Sequence, residues 1–507
     1  MADVKKINNY DLKDGVARSL IEALSVSKAD KSEIPSVDNL ATQDYVNDKI
    51  KEIAGIEVGA LPNDRVIVPE DYTFEQLEEF INANKGKLIK FPYNKQYTAT
   101  KQLVIYDHEN TMIDFNDCCF KAVDNWSVSS RAFSNDVYIG DIIITVCNSK
   151  NVLVENLIID GNRANNSTLT EQTGFWTQNV DGLIARNLNI HSCESKMVII
   201  YYHSKNVTIN NITMHNLGSG RGCSYFFIAD SEDGSYVVRD VYVENESIEN
   251  TAQVFYVAGY NGVIENVHAK NVHAVADFRC GQHIIRNVFI DTCRTGIILQ
   301  KYVDEEEVAL SEVIVENVFM KNVLGYNVGA AGVFIVDCHS CIMNNIAIEL
   351  NTESDYSWYG IRIVKNPTGV TSDIRNLKIS NVKIINAKNS SIRVENVTER
   401  VYLNNIKHIN NYYESPAFSV INGSGLTDLV IICDNIETEG VIISKVGNDI
   451  LNNTYIASSY NKRAGATNER PSLNNYEDKG FCYLDTTLNK PIWWTGSNWV
   501  DATGANM

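Results

Sequence analysis

The chain has 507 residues, a formal net charge of −19 and only 8 prolines, so it is long enough to bury a large hydrophobic core. The negative charge argues against nucleic acid and against an anionic membrane as partners. It is compatible with an acidic glycan, because a local basic strip can lie on an acidic body.

We expect no membrane-spanning helix and no secretory signal, since no run approaches roughly 18 apolar residues and the first residues are polar. The 11 cysteines are scattered along the chain, and we expect them to be reduced, buried side chains of a protein made in a cytoplasm. Cys338 and Cys341 have half of the spacing of a zinc knuckle, but no second half follows. We therefore predict no metal and no cofactor.

Residues 1–60 predict a short N-terminal helical stalk. A first stretch carries apolar residues that include Ile7 and Leu12, and a second carries Leu40, Val46 and Ile50 with charged flanks. The near-heptad spacing of the second stretch is typical of a short oligomeric coiled coil.

Residues 61–99 predict a capping helix and an entry strand. Phe74, Leu77 and Ile81 form one apolar helix face that should end near Gly86, and residues 88–91 have the pattern of a strand. A helix in this place would cover the open end of the repeats that follow, which otherwise exposes unpaired strand edges.

Residues 100–455 contain one short pattern that recurs eleven times. An apolar residue, any residue, an Asn and an aliphatic residue follow one another, as in Val154–Leu157. The spacings of 21 to 31 residues are typical of solenoids. The Asn positions are Asn156, Asn187, Asn211, Asp240 (the one Asp), Asn266, Asn287, Asn317, Asn345, Asn376, Asn405 and Asn435.

This pattern requires a corner. Inward side chains of a strand recur every second residue, whereas Val154 and Leu157 are three apart. The corner residue needs a positive φ, which Asn and Asp tolerate. Coils stacked about 4.8 Å apart would align the Asn side chains in a hydrogen-bonded ladder, so the sequence predicts an all-β fold, a right-handed parallel β-helix. We interpret the Asn residues as structural and not as catalysts.

Residues 456–507 predict a small β tail module. Three of the six tryptophans, Trp493, Trp494 and Trp499, lie there. We expect this module to pack on a neighbouring subunit, to bind sugar, or to do both.

The two ends and most of the middle of the chain resemble known phage proteins. The order of Asp64, Tyr72, Phe91-Pro92 and Tyr97 ahead of the Asn corners is similar to the pectate-lyase-like (pectin-lyase-like) β-helix superfamily. The opening, residues 5–14, is similar to the starts of phage tail and appendage proteins. The close, residues 484–494, is similar to the ends of many phage tail-fibre proteins.

The resemblance implies a homotrimeric phage tailspike in the virion, made in the host cytoplasm and acting at the outer bacterial surface. Its N-terminus would bind a phage tail or baseplate protein, and its partner would be a bacterial surface glycan, either a capsule or a wall polymer. Such receptor-binding proteins often depolymerise the polysaccharide, but the motifs specify the fold better than the activity.

Candidate site residues lie on the strand that precedes each Asn pattern, because its outward side chains stack into a long face. The pattern of residues 296–299 points Ile297 and Leu299 inward, which places Gln300 outward. The same register predicts substrate contacts from Tyr201, His203, Tyr256, Gln300, Lys301 and Arg362, with Trp176 and Trp358 at loop starts as sugar platforms.

Two reaction classes fit this face. A glycoside hydrolase needs two carboxyl groups, which Asp277 with Glu306 or Asp337 would supply. A polysaccharide lyase needs a positive group for a uronate carboxylate, from Arg279, Lys301 or Arg362, and a proton carrier from Tyr256, Tyr201 or His203. The central carboxylates favour the hydrolase, with Asp277, Glu306, Asp337 and Arg279 as catalytic candidates.

Simpler interpretations stay open. Asp277 and Arg279 would form a solvated ion pair, residues 304–307 a hydrated loop, and His203 a turn. The protein would then be a non-catalytic adhesin, whose central carboxylates lie more than about 10 Å apart. A teichoic-acid phosphodiesterase would need a metal or a His/Asp cluster, for which only His203, His339 and Asp337 are candidates.

Overall fold

The computed structural model describes residues 6–7, 10–11, 64–126, 132–134, 137–166, 172–201, 203–218, 224–229, 234–248, 252–259, 261–300, 310–325, 331–336, 338–355, 359–364, 374, 376–395, 400–409, 418–421, 430–438, 443–446, 455–458, 464–470 and 482–506. The chain divides into two units, Met1–Asn47 and Asp48–Met507.

In the first unit the structure describes a short antiparallel pair, β1 (Lys6–Ile7) and β2 (Tyr10–Asp11). The helix that we predicted around Ile7 is therefore wrong for these residues. The two residues between the strands in the sequence, Asn8 and Asn9, are of a type that favours turns over helices. The rest of residues 1–60 lies outside the described residues, and the stalk stays a prediction.

The second unit consists mainly of strands that stack in parallel as coils. They begin with β3 (Arg65–Ile67), helix α1 (Phe74–Ala83), β4 (Leu88–Lys90), β5 (Gln96–Ala99), β6 (Leu103–Tyr106), β7 (Glu109–Ala122), β8 (Ala132–Ser134), β9 (Val137–Ile139), β10 (Ile142–Asp160), helix α2 (Arg163–Asn166), β11 (Thr173–His191), β12 (Lys196–Tyr201), β13 (Lys205–His215), β14 (Ser224–Ala229), β15 (Ser235–Glu244), β16 (Gln253–Ala258), β17 (Asn261–Phe278) and β18 (Gly281–Leu299).

The coils continue with β19 (Leu310–Val323), β20 (Ala331–Ile335), β21 (Ser340–Leu350), β22 (Tyr359–Val364), β23 (Asn376–Ile385), β24 (Ser390–Glu395), β25 (Arg400–Ile409), β26 (Phe418–Ile421), β27 (Val430–Thr438), β28 (Ile443–Val446) and β29 (Tyr455–Ser458). Except for the small antiparallel pair β8–β9, the strands from β3 to β29 pair in parallel. The predicted all-β parallel β-helix is confirmed, and a right-handed winding is the expectation for parallel crossovers.

Each coil contributes to three sheets, as β11 illustrates. Residues 175–178 lie in the first sheet, residues 183–186 in the second and residues 188–191 in the third, and Asn187 forms the corner between the last two. The inward row of the first sheet is buried and apolar: Ile144, Phe175, Val198, Phe226, Phe255, Ala276, Ile297, Val333, Ile361 and Ile392. Burying one of the larger side chains contributes roughly 1.5–3 kcal/mol, so the core grows coil by coil.

The Asn ladder has the predicted geometry. Asn187, Asn211, Asn287, Asn317 and Asn345 each donate from Nδ2 to the Oδ1 of the Asn one coil earlier, at 2.8–3.0 Å. Their φ angles lie between 54° and 59°. The side-chain amides thus bond corner to corner along the solenoid.

One predicted corner is wrong. Asn376 begins β23 and pairs with Ser340 and Arg400, whereas Asn381 has a φ of 54° and donates to Asn344 at 2.8 Å. Both residues are followed by an aliphatic residue and have an isoleucine two positions before them, so the local pattern fits both, and the pairing with β21 selects the second.

A polar pair lies inside the second sheet. Tyr236, Gly262 and His283 occupy the same register position in three consecutive coils. The Tyr236 ring passes over Gly262, where a Cβ would overlap it, and its hydroxyl lies 3.0 Å from His283 Nδ1. Burial lowers the pKa of His283 to about 4, so this imidazole is neutral near pH 7.

Helix α1 lies against β6 at one end of the coils. Phe74, Leu77 and Ile81 are buried in the core. On the same helix, Glu78 Oε2 accepts from the Val104 backbone N–H at 3.1 Å, and Asn82 accepts from Tyr106 N–H and donates to Val104 O at 3.1 and 2.8 Å. These side chains satisfy backbone groups of β6 that no further strand of the described residues pairs, since β10 lies on the other side of β6.

The described cysteines are free thiols, and burial raises the pKa of Cys147 and Cys293 to about 12. Within the described residues, neither helix is of a length and apolarity that would cross a bilayer.

The tail module forms a four-stranded sheet. It comprises β30 (Ala464–Gly465), a short 3₁₀ turn at Thr467–Glu469, β31 (Cys482–Asp485), β32 (Lys490–Trp494) and β33 (Trp499–Val500). Tyr483, Ile492 and Trp499 make its small core. The buried Asp485 accepts from Thr467, Arg470 and two backbone N–H groups, and these hydrogen bonds keep its pKa low. The domain boundaries that we assigned remain predictions.

Candidate functional site

The outward face of the first sheet carries one residue per coil at equivalent register. We call this line the outer row, and it consists of Trp176, Ile199, Phe227, Tyr256, Asp277, Ile298, Phe334, Arg362 and Arg393. Two residues further along each strand lie Tyr201, Arg279, Gln300 and Glu395. Neighbouring coils are about 4.8 Å apart, so side chains of adjacent coils touch.

The N-terminal end of the outer row is aromatic. Trp176 packs edge to face on Tyr201, with ring centroids 5.2 Å apart, and both contact Ile199. Phe227 and Tyr256 stack in parallel at 5.2 Å. This end offers an apolar surface on which the C–H faces of sugars can pack.

Trp176 does not open a long loop, so that prediction is wrong. It lies inside β11, pairs with Ile199 on the next coil and is 9% exposed. The sequence prediction failed because the residues before Trp176 are small and polar, which is typical of a loop. Trp358, the other predicted platform, lies outside the described residues.

Asp277 occupies the centre of the outer row. Its Oδ2 accepts from Arg279 Nη2 at 2.7 Å, and its Oδ1 accepts from Gln300 Nε2 at 3.0 Å. The Arg279 guanidinium lies 5.4 Å from the centre of the Tyr256 ring. Asp277 is 4% exposed, so the pair is not the solvated surface pair of the simpler interpretation.

The hydrogen bonds define what this carboxylate does chemically. Arg279 and the Gln300 amide group both donate, so Asp277 serves as an acceptor at both oxygens. An acceptor held in a fixed rotamer is suited to the role of base or nucleophile and not to that of proton donor.

The described carboxylates of this face are far apart. Asp277 and Glu395 are separated by four coils, which corresponds to about 19 Å and exceeds the roughly 5–9.5 Å of glycosidase pairs. The predicted partners Glu306 and Asp337, together with Lys301, lie outside the described residues. Their roles stay predictions.

The C-terminal end of the outer row is basic. Arg362 donates from Nε and Nη2 to the two oxygens of Glu395, at 3.0 and 3.1 Å. Arg393 also contacts Glu395, and it donates to the Tyr359 hydroxyl. The guanidiniums lie over aromatic rings, Arg362 at 5.3 Å from Phe334 and Arg393 at 4.9 Å from Tyr359.

The structure brings some predicted residues together and separates others. Tyr256, Asp277, Arg279 and Gln300 form one cluster. Tyr201 lies three coils before Arg279, and Arg362 three coils after Asp277, each about 14 Å away. His203 follows β12 at a φ of 52° and is exposed, which agrees with the turn interpretation.

Sequence analysis did not assign Phe227, Phe334 and Tyr359 to the site. Phe334 holds the middle position of an aliphatic-x-aliphatic strand, the register that selected Arg362, and Phe227 lies between the apolar residues Phe226 and Ile228, so this signal was present. Tyr359 was not detectable, because it lies at a strand start and reaches Arg393 on the next coil.

Groups of three or more His, Cys, Asp or Glu that would hold a metal are absent from the portion of the chain that the structure describes. Of the residues considered for a phosphodiesterase, His203 and His339 belong to this portion, whereas Asp337 lies outside the described residues.

The comparisons with known proteins agree with the fold. No protein-family model and no curated protein matches the sequence. Tailspike protein 3 of bacteriophage CBA120 is similar in structure, with a TM-score of 0.50 and 12% identity over 98% of this chain and 77% of that chain. The catalytic domain of a GH87 α-1,3-glucanase has a TM-score of 0.51 and 14% identity over 80% of this chain and 70% of that chain. At such identities the likeness concerns the fold alone, which this chain shares with both proteins.

Proposed function

We propose that this protein is a phage tailspike that binds a bacterial surface polysaccharide along the outer row and depolymerises it by glycoside hydrolysis. The observation that carries the proposal is the central Asp277, a buried carboxylate held by Arg279 and Gln300 between an aromatic end and a basic end. An extended polymer would lie along the row, with sugar rings on the aromatic end.

In this mechanism Asp277 acts as the base or nucleophile at the scissile sugar. Arg279 and Gln300 fix its orientation and stabilise its charge. Hydrolysis also requires a general acid, and Glu306 and Asp337 are the candidates because the sequence places them just after first-sheet strands one and two coils beyond Asp277.

The assembly follows from the resemblance of both chain ends to phage tail proteins. We propose a homotrimer that is attached through its N-terminus to the phage tail and meets the glycan at the outer bacterial surface. The tailspike of bacteriophage CBA120, which covers 98% of this chain, supports this placement.

Digestion of capsule and wall polymers from candidate hosts tests the proposal. Reducing ends without unsaturated uronates indicate hydrolysis. The variant Asp277→Asn should lower the rate at least about 10³-fold, because the acting carboxylate is lost. Glu265→Gln is the matched control, since Glu265 forms a similar pair with Arg286 on the second sheet. Equal rates in wild type and Asp277→Asn would remove Asp277 from the mechanism.

Two observations favour alternatives that the same digestion distinguishes. The distance of about 19 Å between Asp277 and Glu395 suits an adhesin, which would bind polymer without forming product. The Arg279 guanidinium beside Tyr256 suits a lyase, which would form unsaturated uronates. In that case Tyr256→Phe, and not Asp277→Asn, would abolish the reaction.

A further inference from the structure

The basic end of the outer row holds two arginines and one carboxylate. Arg362 and Arg393 are direct partners on adjacent coils, and both contact Glu395. Two of these three side chains are cationic and one is anionic, on a protein whose net charge is −19. A cationic group on an otherwise acidic protein attracts anionic ligands and disfavours cationic ones.

The two guanidiniums are held in place before any ligand binds. Arg393 lies over Tyr359 and donates to its hydroxyl, while Arg362 lies 5.3 Å from Phe334 and 5.7 Å from Tyr359. Stacking and hydrogen bonds restrict the rotamers, so little further entropy would be lost on binding. Both side chains keep about a fifth of their surface exposed, 20% for Arg362 and 19% for Arg393.

We propose that Arg362 and Arg393 form an anionic subsite that binds an acidic group of the glycan, either a uronate carboxylate or a backbone phosphodiester. Planar guanidiniums bind such oxyanions through paired, charge-assisted hydrogen bonds. The subsite lies about 14 Å from Asp277, so it recognises a sugar some distance from the cleaved bond. This inference rests on the proposed function and names the class of its substrate.

Glu395 sets the strength of the subsite. It neutralises one of the two charges and orients Arg362 through two hydrogen bonds. Its removal would leave two positive charges facing the ligand and should strengthen anion binding. A purely structural ion-pair cluster would respond in the opposite way, because the loss of Glu395 would release both arginines.

Affinity electrophoresis of the full chain tests the subsite. The gels would contain polygalacturonate, hyaluronan or poly(glycerol phosphate), with the carboxyl-reduced forms of the two uronans and dextran as neutral polymers. Wild type should be retarded by at least one acidic polymer and, for a uronan, much less by its reduced form. Retardation should weaken as salt rises. The uronans and the phosphate polymer distinguish the two kinds of acidic group.

Arg393→Gln should raise the Kd for that polymer about 10- to 100-fold, as expected for a lost charge-assisted hydrogen bond. Arg393→Lys should lose less, and Glu395→Gln should bind several-fold more tightly. Arg286→Gln is the control, because Arg286 is also paired with a glutamate but lies on the second sheet. Thermal unfolding of each variant separates loss of binding from loss of fold.

Three results would overturn the subsite. These are equal retardation by all of the acidic polymers and by the neutral polymers, equal losses in Arg393→Gln and Arg286→Gln, and weaker binding by a folded Glu395→Gln. Retardation by neutral polymers alone would remove the anionic subsite but leave polysaccharide binding in place. Failure of every polymer here, and of all host polymers in the digestion, would count against both proposals.

Discussion

The outward faces of the first and second sheets both pair arginines with carboxylates, but they differ in the number of donor side chains that each carboxylate receives. On the second sheet two arginines each meet one glutamate of the preceding coil, Arg186 with Glu155 and Arg286 with Glu265, both at 2.6 Å. On the first sheet Arg279 and Gln300 both donate to Asp277, and Arg362 and Arg393 share Glu395.

The difference separates structural pairs from functional ones. One-to-one pairs across coils leave no net charge, and they align neighbouring strands. Where two donor side chains share one carboxylate, they hold it in one orientation, or they present a positive potential to a ligand. Changes in or under the second sheet should therefore alter stability, whereas changes on the outer row should alter function.

The largest effect is expected inside the second sheet. Gly262→Ala would place a Cβ on the Tyr236 ring, and the strain should lower the free energy of unfolding by at least about 3 kcal/mol. Urea unfolding would measure this loss. The double variant Gly262→Ala with Tyr236→Ala should recover part of it, relative to the sum of the single changes. Additive losses would show that the two residues do not clash.

The buried histidines predict a loss of stability in acid. His283 and His108 have a pKa of about 4 in the folded chain because of burial, against about 6.5 when unfolded. The unfolded state therefore binds more protons between pH 6.5 and 4. The contribution of these histidines to the free energy of unfolding should be constant above pH 6.5. As the pH is lowered from 6.5 to 4, the free energy of unfolding should fall by up to about 1.4 kcal/mol per pH unit for each histidine.

Thermal or urea unfolding from pH 8 to pH 4 would measure this dependence. His203→Gln, a change at an exposed histidine beside the first sheet, serves as the comparison variant. A flat profile between pH 6.5 and 4 would contradict the neutral state of the two buried imidazoles.

On the outer row, Arg279→Gln should lower the rate of polymer cleavage about 10- to 100-fold, because Asp277 loses the donor at Oδ2. The effect should appear in kcat, and the loss of a donor to a buried carboxylate should also lower the free energy of unfolding by at least the roughly 1 kcal/mol expected for Arg286→Gln. Reducing-end assays would give the rates. An equal loss of rate in Arg286→Gln would mean that the effect is one of general stability.

The smallest effect is expected for Arg286→Gln itself. The pair with Glu265 is partly exposed, 20% and 14% at the side chains, so its loss should cost about 1 kcal/mol. Polymer binding and cleavage should remain within about twofold of wild type. A tenfold change in either would break the proposed division between the two sheets.

Much of the fold was predictable from the sequence because each coil repeats the same constraint. A corner that needs positive φ selects Asn, and the apolar residues beside it fix the register. The choice between Asn376 and Asn381 was not predictable, because both satisfy the local pattern and only the pairing with β21 distinguishes them.

The site was less predictable, for a related reason. The grouping of Asp277 with Arg279 and Gln300 follows from strand register, since they lie on adjacent coils near the same edge. The arginine pair depends on contacts between Arg362 and Glu395, which are 33 residues apart across loops of variable length. Register shows which residues are neighbours, but it does not show how many donors one carboxylate receives.

Helix α1 affects whether a second chain can extend the solenoid at this end. Every coil of the solenoid is a template for another, and a bare final strand would recruit a second chain just as it recruits the next turn. Glu78 and Asn82 occupy the backbone groups of β6 that such a chain would need. A few side-chain hydrogen bonds thus block this end of the solenoid against edge-to-edge pairing with a second chain.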